Sequence, residues 1–408
     1  MQKSVLRNYA KLIVNVGAAV KRGQQVLIQA EIEQPEFVNM VVDECYRAGA
    51  SKVHVDWSYQ PLVKSHVKYC KDDMLGTLEK WQLEKWEWQA EVLPCKIYLM
   101  SEDPDGLEKV NLKKYAKATA AKSKQIKPIR AKMENKYQWC IAAVPGKKWA
   151  KKVFPGERTS AAVEKLWDAI LKTSRAYGDG IAAWDQHNAD LKSRCDHLNS
   201  LNIRSLHFKA SNGTDLKVGL IPGVVFMGGG ENALGSGIYF NPNIPSEEVF
   251  TSPMKGEAEG IVYSSRPLCY NGALIDNFFV RFEGGKAVEV GAEKNEEMLR
   301  EIISMDEGAA YLGECALVPY SSPIRESGLL FYNTLFDENA ACHLALGRGF
   351  TNLVTGYENM SAEELRAVGI NDSVVHEDFM IGTKDMSITG ILEDGTEIAI
   401  FRDGEWAF

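Results

Sequence analysis

The sequence predicts two domains: a doubly wound α/β domain over residues 1–202, then a hairpin-rich, mostly antiparallel α+β domain over 203–408. Three observations predict it. Apolar runs of strand length alternate with helical segments as far as about residue 200. Beyond 203, short strands separated by Gly and Asp turns take over. All five candidate metal ligands fall in this second half, so a two-metal site is expected there.

The elements follow in order. The first helix, around residues 2 to 20, places Leu6, Tyr9, Ile13 and Val16 near one face and ends before the Lys21-Arg22-Gly23 turn. VLIQAEI, the helix PEFVNMVVDECYRAGA and KVHVDWSY form a β-α-β unit, which implies a parallel pair. KIYLM and WCIAAVP extend that sheet. LHFKA, LKVGLI, GVVFMGG, GIVYSS, FFVRFEGGKAVEV and ITGILEDGTEIAIFRDGEW then supply the hairpins of the second domain.

Composition sets limits on function. The chain has 408 residues and 45% hydrophobic content, ample for two cores. No uncharged apolar run approaches the ~18 residues of a membrane span, and MQKSVLRNYAKL lacks the apolar segment of a signal peptide. Eight cysteines are scattered with no C-x-x-C pair, which points to reduced thiols in a cytoplasmic protein. Residues 101–160 hold 15 Lys or Arg against 6 Asp or Glu, so the rest of this −8 chain sums to −17. Interspersed with Tyr115, Tyr137, Trp139 and Trp149, that stretch is either a nucleic-acid surface or a solvated helix face. No nucleic-acid-binding signature accompanies it, and the solvated face is the expectation. The Gly-rich MGGGENALGSG at 227–237 fails the G-x-G-x-x-G pattern and reads as a loop.

Two stretches carry the chemistry: DENAACHLALG (337–347) and VHEDFMIG (375–382). With Glu248 in SEEVFTSP and Glu314 in LGECALVP, they offer three carboxylates and two imidazoles, the donor set of a two-metal hydrolytic site. VVHEDFMI reads as a strand, so His376 and Asp378 share one face while Glu377 points to the other. DENAACHLALG reads as a helix capped by Asp337 and ending near Gly347, with His343 projecting among small residues. On that helix Cys342 and His343 diverge by about 100° and cannot form a nucleophile–base pair. Two divalent cations bring four positive charges and Glu248, Glu314 and Asp378 return three, so one hydroxide completes the balance a buried site needs. Glu338 is the candidate general base; the alternative is a first-turn carboxylate favoured by the helix dipole.

SEEVFTSP, RPL followed by GALID, DEGAAYLGECALVP, SSPI, FYNTLFDENAACHLALGRGF and VHEDFMIG together resemble the thermophilic-type metalloaminopeptidases, the aminopeptidase T and S family (peptidase family M29). The similarity continues through NGTDLKVGL and, more loosely, YAKLIVNVGAAVKRGQQVLI, and so covers nearly the whole chain. The resemblance implies a two-metal exopeptidase that removes N-terminal amino acids from peptides, with ligands at Glu248, Glu314, His343, His376 and Asp378. It also implies a homodimer whose active sites face an enclosed interior. Zinc, cobalt and manganese all suit such a donor set. One position departs from the family pattern. Seven residues after His343 the family usually carries a tyrosine reaching the metals, and this chain has Phe350; Tyr357 is a possible substitute donor. A metal-binding relative with altered or lost peptidase activity is therefore the alternative to a working enzyme.

Overall fold

A computed structural model describes residues 1–408. The chain divides into two compact units, Met1–Asp185 with Gly230–Ile244, and Gln186–Gly229 with Pro245–Phe408. This corrects the single cut at 202/203. The helix Gly180–Ser200 runs through the division. The segment 230–244 returns to the first unit because Asn243–Ile244 pairs as a parallel strand with Ile141 and Ala142.

The first unit is built on a parallel sheet, as the β-α-β pattern predicts. Its strands β1 (Gln25–Glu31), β2 (Lys52–Ser58), β3 (Cys95–Met100) and β4 (Trp139–Ala143) run in the order β4-β3-β1-β2, with Asn243–Ile244 outside β4. Val26, Leu27 and Ile28 of β1 are fully buried, as expected for a central strand covered on both faces. The first helix is shorter than expected. It spans Lys3–Leu12 and widens into a π turn over Ile13–Gly17. In the basic stretch, the helix Leu112–Ala131 and its neighbours form a charged surface: Lys114 pairs with Asp72, Lys132 with Glu87, Lys148 with Asp103 and Lys152 with Asp105. No helix is long and apolar enough to cross a membrane.

The second unit contains two antiparallel sheets. A nine-stranded sheet takes in the hairpins read from the sequence, among them Ala273–Glu283 with Lys286–Lys294 and Ser387–Leu392 with Glu397–Arg402. The other has five strands in the order β9-β8-β7-β6-β5: β5 is Met227–Gly228, β6 Val249–Thr251, β7 Leu312–Leu317, β8 His343–Gly347 and β9 His376–Met380. One core joins the two sheets, with Phe208, Val218, Phe278 and Val280 from the larger and Leu317, Leu344, Leu346 and Phe379 from the smaller.

DENAACHLALG is not one helix. A short helix ends at Asp337, Glu338–Ala340 make a single 3-10 turn, and His343–Gly347 is β8. Asp337 does not cap a helix start; its carboxylate turns back to accept the backbone N–H groups of Phe331 and Asn333. The reason for the strand is tertiary. β8 lies between β7 and β9 and hydrogen-bonds to both, and all five of its residues are buried. Leu344 and Leu346 enter the core, so packing overrides the helical propensity of Ala and Leu.

Candidate metal centre

The five-stranded sheet has one core face and one polar face, and the period of two assigns each residue. Directly opposed residues share a face: Ala316 with His343, Glu314 with Ala345, Ala345 with Asp378, and Gly347 with His376. The other face carries Cys315, Leu344, Leu346 and Phe379 into the core. Ala316, Ala345 and Gly347 therefore form a floor of small residues beneath the two imidazoles and their carboxylates. Glu248 stands just before β6, one residue before the core residue Val249.

Two glycines let the strands close up here. Gly313 is the extra residue of a bulge, so that Glu314 faces the site while Leu312 faces the core. A Cβ on Gly313 would lie 2.3 Å from the carbonyl oxygens of both Gly347 and Arg348. Gly347 has φ +102°, and a Cβ there would lie 2.1 Å from the Val375 carbonyl oxygen. Only glycine fits both positions.

The side chains meet in two triads that share Glu314. Glu248, Glu314 and His343 form one, and Glu314, His376 and Asp378 the other, each with its ligand atoms within 4.8 Å of one another. His343 Nε2 lies 3.1 Å from Glu248. His376 Nε2 lies 3.2 Å from Glu314 and 3.6 Å from Asp378. The opposite ring nitrogens face backbone carbonyls: His343 Nδ1 lies 3.1 Å from Ala341 O and His376 Nδ1 2.7 Å from Arg348 O. A carbonyl only accepts, so Nδ1 carries the hydrogen in each ring and Nε2 is turned to the carboxylates, the arrangement that orients histidine ligands.

Electrostatics favour a cation in this place. Glu248, Glu314 and Asp378 are all at least nine-tenths buried, and Asp378 Oδ1 is buried with no hydrogen-bond partner. Burial, reinforced by Asp378 and Glu248, pushes the Glu314 carboxyl up to about 7, against the hydrogen bond with His376. Burial opposes the charge on His343, yet the hydrogen bond and charge of Glu248, with Glu314 and Asp378, carry it up to about 9. For His376, burial is again overcome, here by Asp378 and Glu314, and the ring reaches about 10. A divalent cation meets such a site well: it satisfies the orphaned oxygen and offsets the crowded carboxylates.

Glu338 belongs to the same cluster. It sits in the 3-10 turn, accepts from Asn339 Nδ2 at 3.3 Å, and burial with the charges of Asp378, Glu248 and Glu314 pushes its carboxyl well up. Glu377 lies on the other face, opposite Leu346, and outside both triads. Phe350 sets its ring edge-to-face on His376, with centroids 5.0 Å apart, and against Phe250 at 5.3 Å. Tyr357 packs against the separate cluster of Ile221, Val354, Leu365 and Ile370.

Two contributors are not legible in the sequence. The Arg348 carbonyl orients His376 with an atom every residue carries, so no residue type marks it. Asn339 is fully buried and bonded to both flanks of the site. Its position inside DENAACH, between the candidate base and two alanines, is the available signal.

Comparison with known proteins gives this geometry its context. The family model described as thermophilic metalloprotease (M29) matches residues 2–406. Aminopeptidase AmpS of Bacillus subtilis (strain 168) is 40% identical over 405 residues, covering 99% of this chain and 98% of the relative. Aminopeptidase T of Thermus thermophilus is 40% identical over 406 residues with the same coverage. The solved structure of wild-type AmpT from Thermus thermophilus superposes with a TM-score of 0.91 at 38% identity, covering 100% of both chains. A dihydroxypyridine dioxygenase from Pseudomonas putida shares only the fold, at 13% identity and a TM-score of 0.50. Agreement at this level over both units and the whole of the site sheet has one reading: the chain belongs to the thermophilic metalloprotease family, M29.

Proposed function

We propose that this chain is a metal-dependent aminopeptidase, which removes N-terminal residues from peptides at a centre of two divalent ions held by Glu248, Glu314, His343, His376 and Asp378. One observation carries the reading: two triads of ligand-type atoms, each of which would hold a cation, lie side by side and have the Glu314 carboxylate in common. The relatives named as aminopeptidases support the substrate class. The imidazole and carboxylate donors suit zinc, cobalt or manganese.

The bound ions would supply Lewis acidity toward the scissile carbonyl and lower the pKa of a water. This chain's own groups do the rest. Glu338, beside Asp378, takes the proton from the attacking water and returns it to the departing amine. The carboxylates of the cluster receive the free α-amine, so a blocked N-terminus loses its anchor. The Ala341 and Arg348 carbonyls hold both imidazoles in the tautomer that turns Nε2 inward. A homodimer in the cytoplasm belongs to the same proposal, supported by the family resemblance and by eight cysteines that are all unpaired.

The test combines metal analysis with a panel of aminoacyl-arylamides. The chelated protein should lose hydrolysis and regain it with two equivalents of metal, and N-acetylated peptides should resist cleavage while free ones are trimmed stepwise. Equal cleavage of blocked and free peptides, or internal cuts seen by mass spectrometry, would show the exopeptidase reading to be wrong.

A further inference from the structure

Asn339 has no assigned role, yet its side chain ties together two parts of the site that are far apart in sequence. Oδ1 accepts the backbone N–H of Glu247 at 2.7 Å, directly beside Glu248. Nδ2 donates to the Leu335 carbonyl at 3.0 Å and to Glu338 Oε1 at 3.3 Å. These partners fix the orientation of the amide, since an N–H must meet oxygen and two acceptors must meet NH2. The backbone is held as well: Ser322 Oγ donates to the Asn339 carbonyl at 2.6 Å. On the other side of Glu338, the Asp337 carboxylate accepts from Phe331 and Asn333 and lies 3.6 Å from Arg266. Glu338 therefore sits in one turn of backbone anchored at both ends.

We propose that Asn339 is a positioning residue that fixes the Glu338 carboxylate relative to the Glu248 segment, so that base and metal ligand keep one spacing. This rests on the aminopeptidase reading above. A side-chain amide supplies two N–H bonds and one acceptor oxygen at once, here to Leu335 O, Glu338 Oε1 and the Glu247 N–H, and glutamine would carry that amide one methylene too far. Aspartate keeps the acceptor for Glu247 N–H but turns an oxygen toward Leu335 O and Glu338. Alanine removes all three bonds and frees the Glu248 segment as well.

The experiment uses the full chain with Asn339→Asp and Asn339→Ala, measured for melting temperature, zinc affinity by chelator competition, the visible spectrum of the cobalt-loaded protein, and kcat and KM on an aminoacyl-arylamide. Asn339→Asp should hold zinc affinity and KM within about threefold of wild type while kcat falls about 10- to 100-fold, the cost of a misplaced catalytic group. Asn339→Ala should also lose about tenfold or more in zinc affinity and change the cobalt spectrum, as loss of a group supporting a ligand does. If Asn339→Asp retains wild-type kcat at full metal occupancy, or if its rate falls only in step with the folded fraction, the proposal is overturned. A wild-type chain with no metal-restored hydrolysis would defeat the aminopeptidase reading instead; zinc affinity and the cobalt spectrum, read without turnover, would then decide the role of Asn339 alone.

Discussion

His376, Glu377 and Asp378 are three consecutive polar residues with two different situations. The first and third share the face that carries Glu314 and His343, and the second lies opposite Leu346. Replacing His376 or Asp378 by alanine should therefore abolish metal-dependent hydrolysis, whereas Glu377→Gln should leave kcat/KM within about threefold of wild type, as a change outside the ligand set should. Equal losses at all three positions in a metal-titrated assay would refute the assignment. Phe350 calls for a subtler measurement. Its ring packs edge-on against His376, so a hydroxyl added by Phe350→Tyr would be carried on a ring already beside the cluster. One new oxyanion donor should raise kcat by about tenfold or more with KM little changed. Unchanged kcat at full metal occupancy would mean that the site does not need that donor.

At the scale of elements, the strand-face argument for β9 was legible because His-Glu-Asp sits between β-branched and apolar residues and the period is short. The β-α-β unit of the first domain was legible for the same reason. β8 was not. Ala and Leu favour a helix locally, and the pattern that reveals a strand is a contrast of size: Leu344 and Leu346 face the core while His343, Ala345 and Gly347 face the site. Its two hydrogen-bonded neighbours are 27 or more residues away in sequence, beyond any local signal. The inward position of His343 among small residues nevertheless survives the change from helix to strand. Gly347 supplies the test at this scale. Gly347→Ala meets both a positive φ and the Val375 carbonyl, so it should destabilise the protein by about 1–3 kcal/mol or more in chemical denaturation. It should also weaken metal binding by parting β8 from β9 where the Arg348 carbonyl meets His376. Wild-type stability with wild-type metal affinity would mean that the strands can open there freely.

For the whole molecule, the protonation of the site links metal, pH and stability. His343 at about 9 and His376 at about 10 both lie above the 6.5 of an unperturbed ring, because the neighbouring carboxylates outweigh the burial that opposes their charge. A group whose proton is held more tightly in the fold stabilises it fully below the unfolded value, and that contribution fades as pH rises through the folded value. Glu314, raised by burial from 4.5 to about 7, acts in the same direction. Metal-free protein should thus lose melting temperature from about pH 4.5, where Glu314 begins to titrate, to about pH 10, where His376 finishes. Zinc-loaded protein should hold a flatter profile and release protons into weak buffer as the metal binds. A rising profile for the metal-free form in the same scans would contradict the assigned ion pairs.

The return of residues 230–244 to the first unit has a consequence for how the chain is made. Its parallel sheet gains the strand outside β4 only from Asn243–Ile244, and Gln186–Gly229, which belongs to the other unit, is translated first. A ribosome delivers residues in order, and early domains commonly finish folding before later ones emerge. Here the first unit must wait with an open sheet edge at Trp139–Ala143 while part of its successor leaves the exit tunnel. A chain stalled at residue 185 should therefore expose that edge, and one stalled well beyond residue 244 should protect it, in pulse proteolysis of arrested nascent chains.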